Sequence, residues 1–393
     1  MDLISFQEAL DLGLTLPLMP LESKPIALNK AQGRILAEDI YAQDPLPKVS
    51  NSTMDGFGLY LEDLGKSLPI AHTIYAGMDT TSLELPPHTC VKIMTGAPIP
   101  KGVELVVPFE KMQSFTDTHA HAPQGFKKGD NIRFEGENIK SGDLILTKGT
   151  RLSIGHIALL ASQGIVSVRV FRRLRVGVFS SGDEVIALGG HAHKRQVYDT
   201  NGVILTNLLE KHGFEPMHLG YLQDDLEAQK KALIRALDHD VIISSAGVSA
   251  GDKDYFKETL LSMGAQIHYH GVKLKPGKPI MLASLSEKII FGMPGNPLSC
   301  TLTFLTLVLP VLERLALSLA KPTTFKATLA NPLILKGKRT HLILGQLQGG
   351  VFTPYQNNTY GAGAINALSA SNAIACIHQV EEPVQSAEVL LLL

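Results

Sequence analysis

Cysteine is scarce in this chain of 393 residues: three occur, Cys90, Cys300 and Cys376, far apart and never as C-x-x-C. That excludes a disulfide framework and a cysteine-rich zinc module, and it suits a reducing compartment. An excess of either charge is also missing. With 36 Lys+Arg against 37 Asp+Glu, the electrostatic footprint of a general nucleic-acid binder is absent. The opening stretch, MDLISFQEALDLG, carries acids where a signal peptide needs a basic region. The longest strongly apolar run, Leu298 to Leu312, contains threonines and Pro310 and falls short of the ~20 residues that span a bilayer. A cytoplasmic protein with no membrane or nucleic-acid partner is expected. No G-x-G-x-x-G follows a strand, and G-x-x-x-x-G-K-[ST] does not occur. The dinucleotide fingerprint and the Walker loop are thereby excluded.

What is present points to a globular protein with buried sheets: 45% of residues are apolar and only 19% charged. At roughly 100–200 residues per domain, the length divides into two to four domains. Phe6, Leu10 and Leu14 predict an opening helix that Pro17 and Pro20 stop. Residues 50–135, rich in Gly, Pro and Thr with short apolar runs, predict strands and turns, and Ser153 is placed to cap a helix over 153–163. From Arg173 the runs RVGVF, DVIIS and KIIFGM alternate with helical patterns near 200–212 and from Asp224 or Asp225, the latter with Leu226, Leu233, Ile234 and Leu237 on one face. Such alternation implies βαβ units and a mostly parallel sheet covered on both faces. After a linker over 320–326, the runs ATLA, PLIL, HLILGQL, AIACIH and EVLLLL predict a small β barrel or sandwich.

In an open α/β sheet, ligands bind beyond the carboxyl ends of the strands. Three loops fall there: Ser180–Glu184; Ser244–Asp254, with Ser249, Asp252 and Asp254; and Lys275–Pro279 together with Met293–Pro297. Small residues admit an anion to the backbone, the lysines supply positive charge, and Glu184, Asp252 and Asp254 offer oxygen ligands to a hard cation such as Mg²⁺. A phosphorylated ligand with a divalent metal is the expectation. The pairs His119/His121, His191/His193 and His268/His270 have chelating spacing but no supporting Cys or carboxylate cluster, and are read as structural.

At these loops the chain resembles the molybdopterin molybdenumtransferase family, to which the C-terminal part of gephyrin is related. The matching segments are NSTMDGFGL (Asn51–Leu59), VKIMTGAPIP (Val91–Pro100), NIRFEGENI (Asn131–Ile139), SSGDE, YDTN (Tyr198–Asn201), ISSAGVSAGDKDY, KPGKP and GMPGNPLS. The resemblance implies a homodimer with four domains per chain: an extended discontinuous domain (1–50 with 136–172), an inserted β-rich domain (51–135), a central doubly wound α/β domain that binds the pterin nucleotide (173–322) and a C-terminal β barrel (323–393). It implies molybdenum insertion into adenylylated molybdopterin, using molybdate and Mg²⁺ and releasing AMP. Contact with the adenylylating enzyme and acceptor molybdoenzymes is implied as well. By motif position, Asp55 and Thr95 act across the dimer interface, and Ser249, Asp254 and Glu184 serve the nucleotide phosphates and metal. Lys275, Lys278, Pro279 and Arg339 belong to the molybdate pocket, with Pro294 and Pro297 in the substrate site. The chain departs from the pattern at Asn138, Ala246 and Ala362, and lacks a second arginine near Leu344. Readings from other classes are a non-catalytic gephyrin-like dimeric scaffold and a Mg²⁺-dependent nucleotide hydrolase.

Overall fold

The computed structural model describes residues 3–247, 255–320, 323–378 and 383–392. They group into two compact units: Met1–Glu38 with Gly149–Ile157 and Val166–Leu393, and Asp39–Lys148 with Ala158–Ile165.

The first unit is built on a six-stranded sheet in the order Glu215–Leu222, Arg175–Ser181, Val241–Ser245, Lys288–Met293, Met281–Leu285, Gln266–His270. The first four strands run parallel, and Met281–Leu285 pairs antiparallel to both of its neighbours. Side chains alternate between two apolar cores, as the period of a strand requires. Val176, Val178, Val241, Ile243, Ile289 and Phe291 face one core, shared with Leu205 and Leu209 of the Thr200–Lys211 helix. Phe179, Ile242 and Ile290 face the other, against Leu233, Phe256 and Leu260 from the helices Leu226–Ala236 and Tyr255–Ser262. This is the doubly wound arrangement expected from the apolar runs.

The helix ends follow from local chemistry. Ser5 and Glu8 form a reciprocal capping box ahead of the Phe6–Leu14 helix. Asp199 and Asp225 cap the next two long helices, and Gly213, at φ 81°, takes the left-handed position after Thr200–Lys211. One predicted face shifts. Ile234 is exposed, and Gln229 is buried in its place, donating to the Gln223 carbonyl at 2.9 Å. A polar side chain holds a buried position when its hydrogen bonds are met there.

The apolar run becomes a 19-residue helix, Pro297–Leu315, the one helix among the described residues long and apolar enough to cross a membrane. It is packed inside the first unit, with 83% of its most apolar window buried. Pro310 has no N–H to donate, and the ladder widens to a π turn over Phe304–Val308 just before it.

Five strands close a C-terminal barrel: Thr340–Gln348, Val351–Pro354, Thr324–Leu333, Val384–Leu391 and Ala373–Ile377, which pairs back to Thr340–Gln348. Ala327, Leu329, Ile343, Phe352 and Ala375 fill it. Two expectations are corrected here. The strand begins at Thr324, inside the expected linker, and ATLA and the first two residues of PLIL belong to one strand, ending at Leu333, whose register breaks between Thr328 and Leu333. Pro332, which cannot donate to the ladder, sits within that break. Outside the barrel, Leu274–Lys275 pairs parallel to Thr340–Gln348, with Lys275 opposite His341. This ladder joins the KPGKP loop to the barrel.

The second unit carries a six-stranded sheet in the order Leu105–Pro108, Gly56–Leu59, Cys90–Ile93, Ser67–Ile74, His119–His121, Ser114–Phe115. Phe57, Leu59, Leu105 and Val107 fill one of its cores, and Ile74, Val91, Ile93 and Val106 the other.

Candidate active site

In the parallel sheet, the chain leaves Arg175–Ser181 to build Glu215–Leu222 on one side, then returns to build Val241–Ser245 on the other. Such a reversal opens a crevice at the carboxyl ends of the two strands concerned. Ser181 and Ser245 end those strands, and both line a cleft of about 1070 Å³.

The cleft collects residues from distant stretches of chain. Glu184 follows Ser181, Tyr198–Asn201 comes from the start of the next helix, and Ala246 extends Ser245. Lys275, Lys278 and Pro279 come from KPGKP, and Pro294 and Pro297 from the start of the apolar helix. Arg339, His341, Tyr360 and Ala362 come from the barrel. Lys275, Lys278 and Arg339 place three cations on this surface, and among the described residues none of them pairs with a carboxylate. Unneutralised cations around a crevice lined by small residues favour an anionic ligand. Ser249, Asp252 and Asp254 lie outside the described residues.

Backbone geometry shapes this surface. Gly277 adopts φ 107°, and a Cβ there would stand 2.2 Å from Thr303 Cγ2. The residue just before Lys278 is therefore glycine for two independent reasons. Ala246, by contrast, holds φ 81° despite its side chain. The departure noted in the sequence thus falls on a left-handed position that glycine would occupy without strain.

Beside the cleft, Ser180, Asp199 and His218 meet. Ser180 Oγ donates to Asp199 Oδ2 at 2.6 Å and lies 3.1 Å from His218 Nε2, while Asp199 Oδ1 accepts from the Gly202 N–H at 2.8 Å. Three residue types of a hydrolytic triad are present, but the order of contacts is wrong for one. Ser180 is fully buried and its proton goes to the carboxylate, so the hydroxyl is not presented as a nucleophile. The cluster instead braces the start of the Thr200–Lys211 helix at the cleft. Burial works against ionised Asp199, but hydrogen bonds from His218, Ser180 and Gly202 outweigh it and hold the carboxyl below its ordinary range.

Asp55 and Thr95 lie in the second unit and meet each other there. Thr95 donates to Asp55 Oδ1 from its backbone N–H at 2.6 Å and from Oγ1 at 2.8 Å. The segments around them interlock, with Gly96 N donating to the Ser52 carbonyl and Ser52 N to that of Ala97. The backbone bond, then the hydroxyl bond, hold the Asp55 carboxyl below its ordinary value, so it is ionised and acceptor-only at neutral pH. Thr95→Val keeps the first bond and loses the second. The Asp55 titration midpoint, followed by NMR of its carboxyl carbon, should move up part-way toward the usual value; an unmoved midpoint would contradict this hydrogen bond.

Three histidines of these pairs have partners: His119 Nδ1 meets Thr118 Oγ1, His121 Nε2 meets the Gly65 carbonyl and His268 Nε2 meets Ser284 Oγ. Among the described residues, the one group with metal-ligand proximity is Glu62, Asp63 and His88. Asp63 Oδ1 is already engaged by Lys66 at 2.8 Å.

Comparison with known proteins agrees with this layout. Residues 4–164 match the MoeA N-terminal region (domain I and II), and residues 177–314 match a probable molybdopterin binding domain. A molybdopterin molybdenumtransferase of Haemophilus influenzae is 38% identical over 302 residues, covering 75% of this chain and 74% of that one. The chain belongs to the molybdopterin molybdenumtransferase family. A Nostoc sp. molybdopterin molybdenumtransferase is 32% identical over 389 residues, 95% of this chain and 88% of its own. The solved structure of a molybdopterin biosynthesis moeA protein from Pyrococcus horikoshii OT3 superposes with a TM-score of 0.86 at 26% identity, over 99% of this chain and 100% of that one. In this molybdopterin molybdenumtransferase family member, Ala362 lies on the barrel side of the cleft. Leu344 is fully buried, its N–H donating to Tyr360 Oη at 2.6 Å. His341, Tyr360 and Asn358 also line the cleft and were not singled out by sequence motif. His341 sits in an apolar strand, and its place at the cleft depends on the distant pairing with Lys275.

Proposed function

We propose that the protein inserts molybdenum into adenylylated molybdopterin, consuming molybdate and releasing AMP. The observation that carries this reading is the convergence of Lys275, Lys278 and Arg339, without carboxylate partners among the described residues, on the cleft at the sheet's switch point. A pterin nucleotide and a small divalent oxyanion are both anionic, and a cleft of about 1070 Å³ has room for both.

In this reading the two dithiolene sulfurs replace oxygens of molybdate, and the pyrophosphate bond is cleaved in the same site. Lys275, Lys278 and Arg339 hold the oxyanion and offset charge that develops as oxo groups leave. Pro279, Pro294 and Pro297 give stiff walls to the substrate site, since proline fixes φ. Ser181 and Ser245 present hydroxyls at the strand ends, and Ser249 is assigned to the phosphates. Glu184 and Asp254 would hold Mg²⁺. The donor set fits a hard cation, with the Glu184 carboxylate among hydroxyls on the cleft and substrate phosphates expected alongside. When bound, Mg²⁺ would supply charge neutralisation at the pyrophosphate. The four-domain division (1–50 with 136–172, 51–135, 173–322, 323–393) and a cytoplasmic location belong to the same reading.

The working form is taken to be a homodimer in which Asp55 and Thr95 of one protomer complete the cleft of its partner. Asp55→Ala and Lys275→Ala proteins, each inactive alone, would then recover about a quarter of wild-type activity when subunits are exchanged, because half the dimers carry one intact site of two. No recovery would place Asp55 and Lys275 in one protomer's site. The whole reading is tested by reconstitution. Purified protein supplied with adenylylated molybdopterin, Mg²⁺ and molybdate should yield cofactor that activates an apo-molybdoenzyme, and failure to activate it would refute the assignment.

A further inference from the structure

Among the described residues, four buried side-chain atoms have no hydrogen-bond partner: Asp63 Oδ2, Gln163 Nε2, Asn201 Oδ1 and His341 Nε2. Buried polar atoms are rarely left unmet, and each exception calls for a reason. Asn201 and His341 line the cleft. His341 is 5% exposed and sits opposite Lys275 in the ladder between Leu274–Lys275 and Thr340–Gln348. It stands two residues beyond Arg339, and its ring makes a hydrogen bond to the Lys336 backbone. Since Nε2 is the unpartnered nitrogen, Nδ1 is the one that donates to that carbonyl.

We propose that His341 is a direct ligand of the bound oxyanion, donating a hydrogen bond from Nε2 on the barrel side of the cleft. This rests on the molybdate reading above. A tetrahedral oxyanion offers only acceptors, so every contact to it must be a donor or a cation. On the barrel side, Ala362 presents no polar side-chain atom and Tyr360 Oη already accepts from the Leu344 N–H, while His341, beside Arg339, carries a buried nitrogen with no partner.

The chemistry has a consequence for protons. With Nδ1 committed as a donor, Nε2 donates only when the ring is an imidazolium. The groups facing the ring are Lys275 from the adjoining strand and Arg339 from the preceding turn. From the Ala373–Ile377 strand, the residue opposite is the uncharged Ile377, and His378 beyond it lies 3.1 Å from Thr340 Oγ1. Burial foremost, then Lys275 and Arg339, hold the free ring neutral, below its ordinary titration range. An arriving dianion reverses that balance, and binding takes up a proton.

Molybdate alone is the probe, with its affinity measured calorimetrically for wild type, His341→Leu, His341→Gln and Lys275→Ala. Wild-type affinity should rise as pH falls from about 8 to about 6.5, with proton uptake on binding. His341→Leu should bind about tenfold more weakly and lose the pH dependence. Its thermal midpoint should change little, because the unmet Nε2 and the Nδ1 bond to the Lys336 backbone are removed together. His341→Gln, which keeps an amide donor, should bind with intermediate affinity and no pH slope. If His341→Leu binds molybdate like wild type, with the same slope, while Lys275→Ala does not bind, His341 is no ligand and the oxyanion reading stands. If His341→Leu fails to fold, His341→Gln decides alone, and wild-type affinity with an intact slope overturns the proposal. Absence of molybdate binding by wild type at every pH overturns both.

Discussion

Lys275→Ala should lower molybdenum transfer by about two to three orders of magnitude, the usual consequence of removing one charge-stabilising group from a preorganised site. The side chain is exposed on the cleft and, among the described residues, pairs with no carboxylate. The fold therefore has little use for its charge, and thermal stability should stay within about 0.5 kcal/mol of wild type. Lys275→Arg keeps the charge but moves it outward on a longer, planar group, so partial activity is expected. Steady-state kinetics with molybdate as the varied substrate separates the cases. A fall in kcat and kcat/KM together marks a contact made in the transition state, whereas a rise in KM alone marks ground-state binding. Activity within about threefold of wild type would remove Lys275 from the site.

Gly277→Ala should destabilise the protein by about 2–5 kcal/mol and abolish activity in whatever fraction folds. Two costs add. The left-handed φ of 107° is unfavourable for any residue with a Cβ, at about 1–2 kcal/mol. The new methyl would also stand 2.2 Å from Thr303 Cγ2, on a β-branched side chain fully buried in the apolar helix, where overpacking costs about 1–3 kcal/mol. Relief by moving the loop would displace both Lys275 and Lys278. Denaturant unfolding of the double variant Gly277→Ala/Thr303→Ser resolves the two costs, since serine lacks Cγ2. Partial recovery is expected, because the backbone strain remains. No recovery would mean that the contact with Thr303 is not what fixes the loop.

Much of the fold was legible because single residues report local physics. RVGVF and DVIIS read as buried strands since both faces of the sheet are covered, so neither face needs polar side chains. Gly213 marked a helix end because its positive φ suits glycine. Ile234 misled for the opposite reason: its burial was assumed from helical spacing, while the helix packed beside its own, Tyr255–Ser262, lies further along the sequence. The cleft was half legible. Loops at strand ends are predictable from the order of strands and helices, and Glu184, Lys275 and Lys278 followed from that rule and from motif resemblance. The barrel's face was not. His341 lies in an apolar strand with nothing local to distinguish it, and only the ladder to Lys275 brings it to the site. The Ser180–Asp199–His218 cluster likewise joins two strands and a helix cap that no spacing rule connects.

The central claim is that one cleft couples pyrophosphate cleavage to molybdenum insertion. The measurement that bears on it most directly is AMP release from adenylylated molybdopterin, with Mg²⁺ present, as a function of molybdate concentration. The account predicts release that saturates with molybdate and falls to background without it. Release at full rate in the absence of molybdate would contradict the account and make the protein a nucleotide hydrolase.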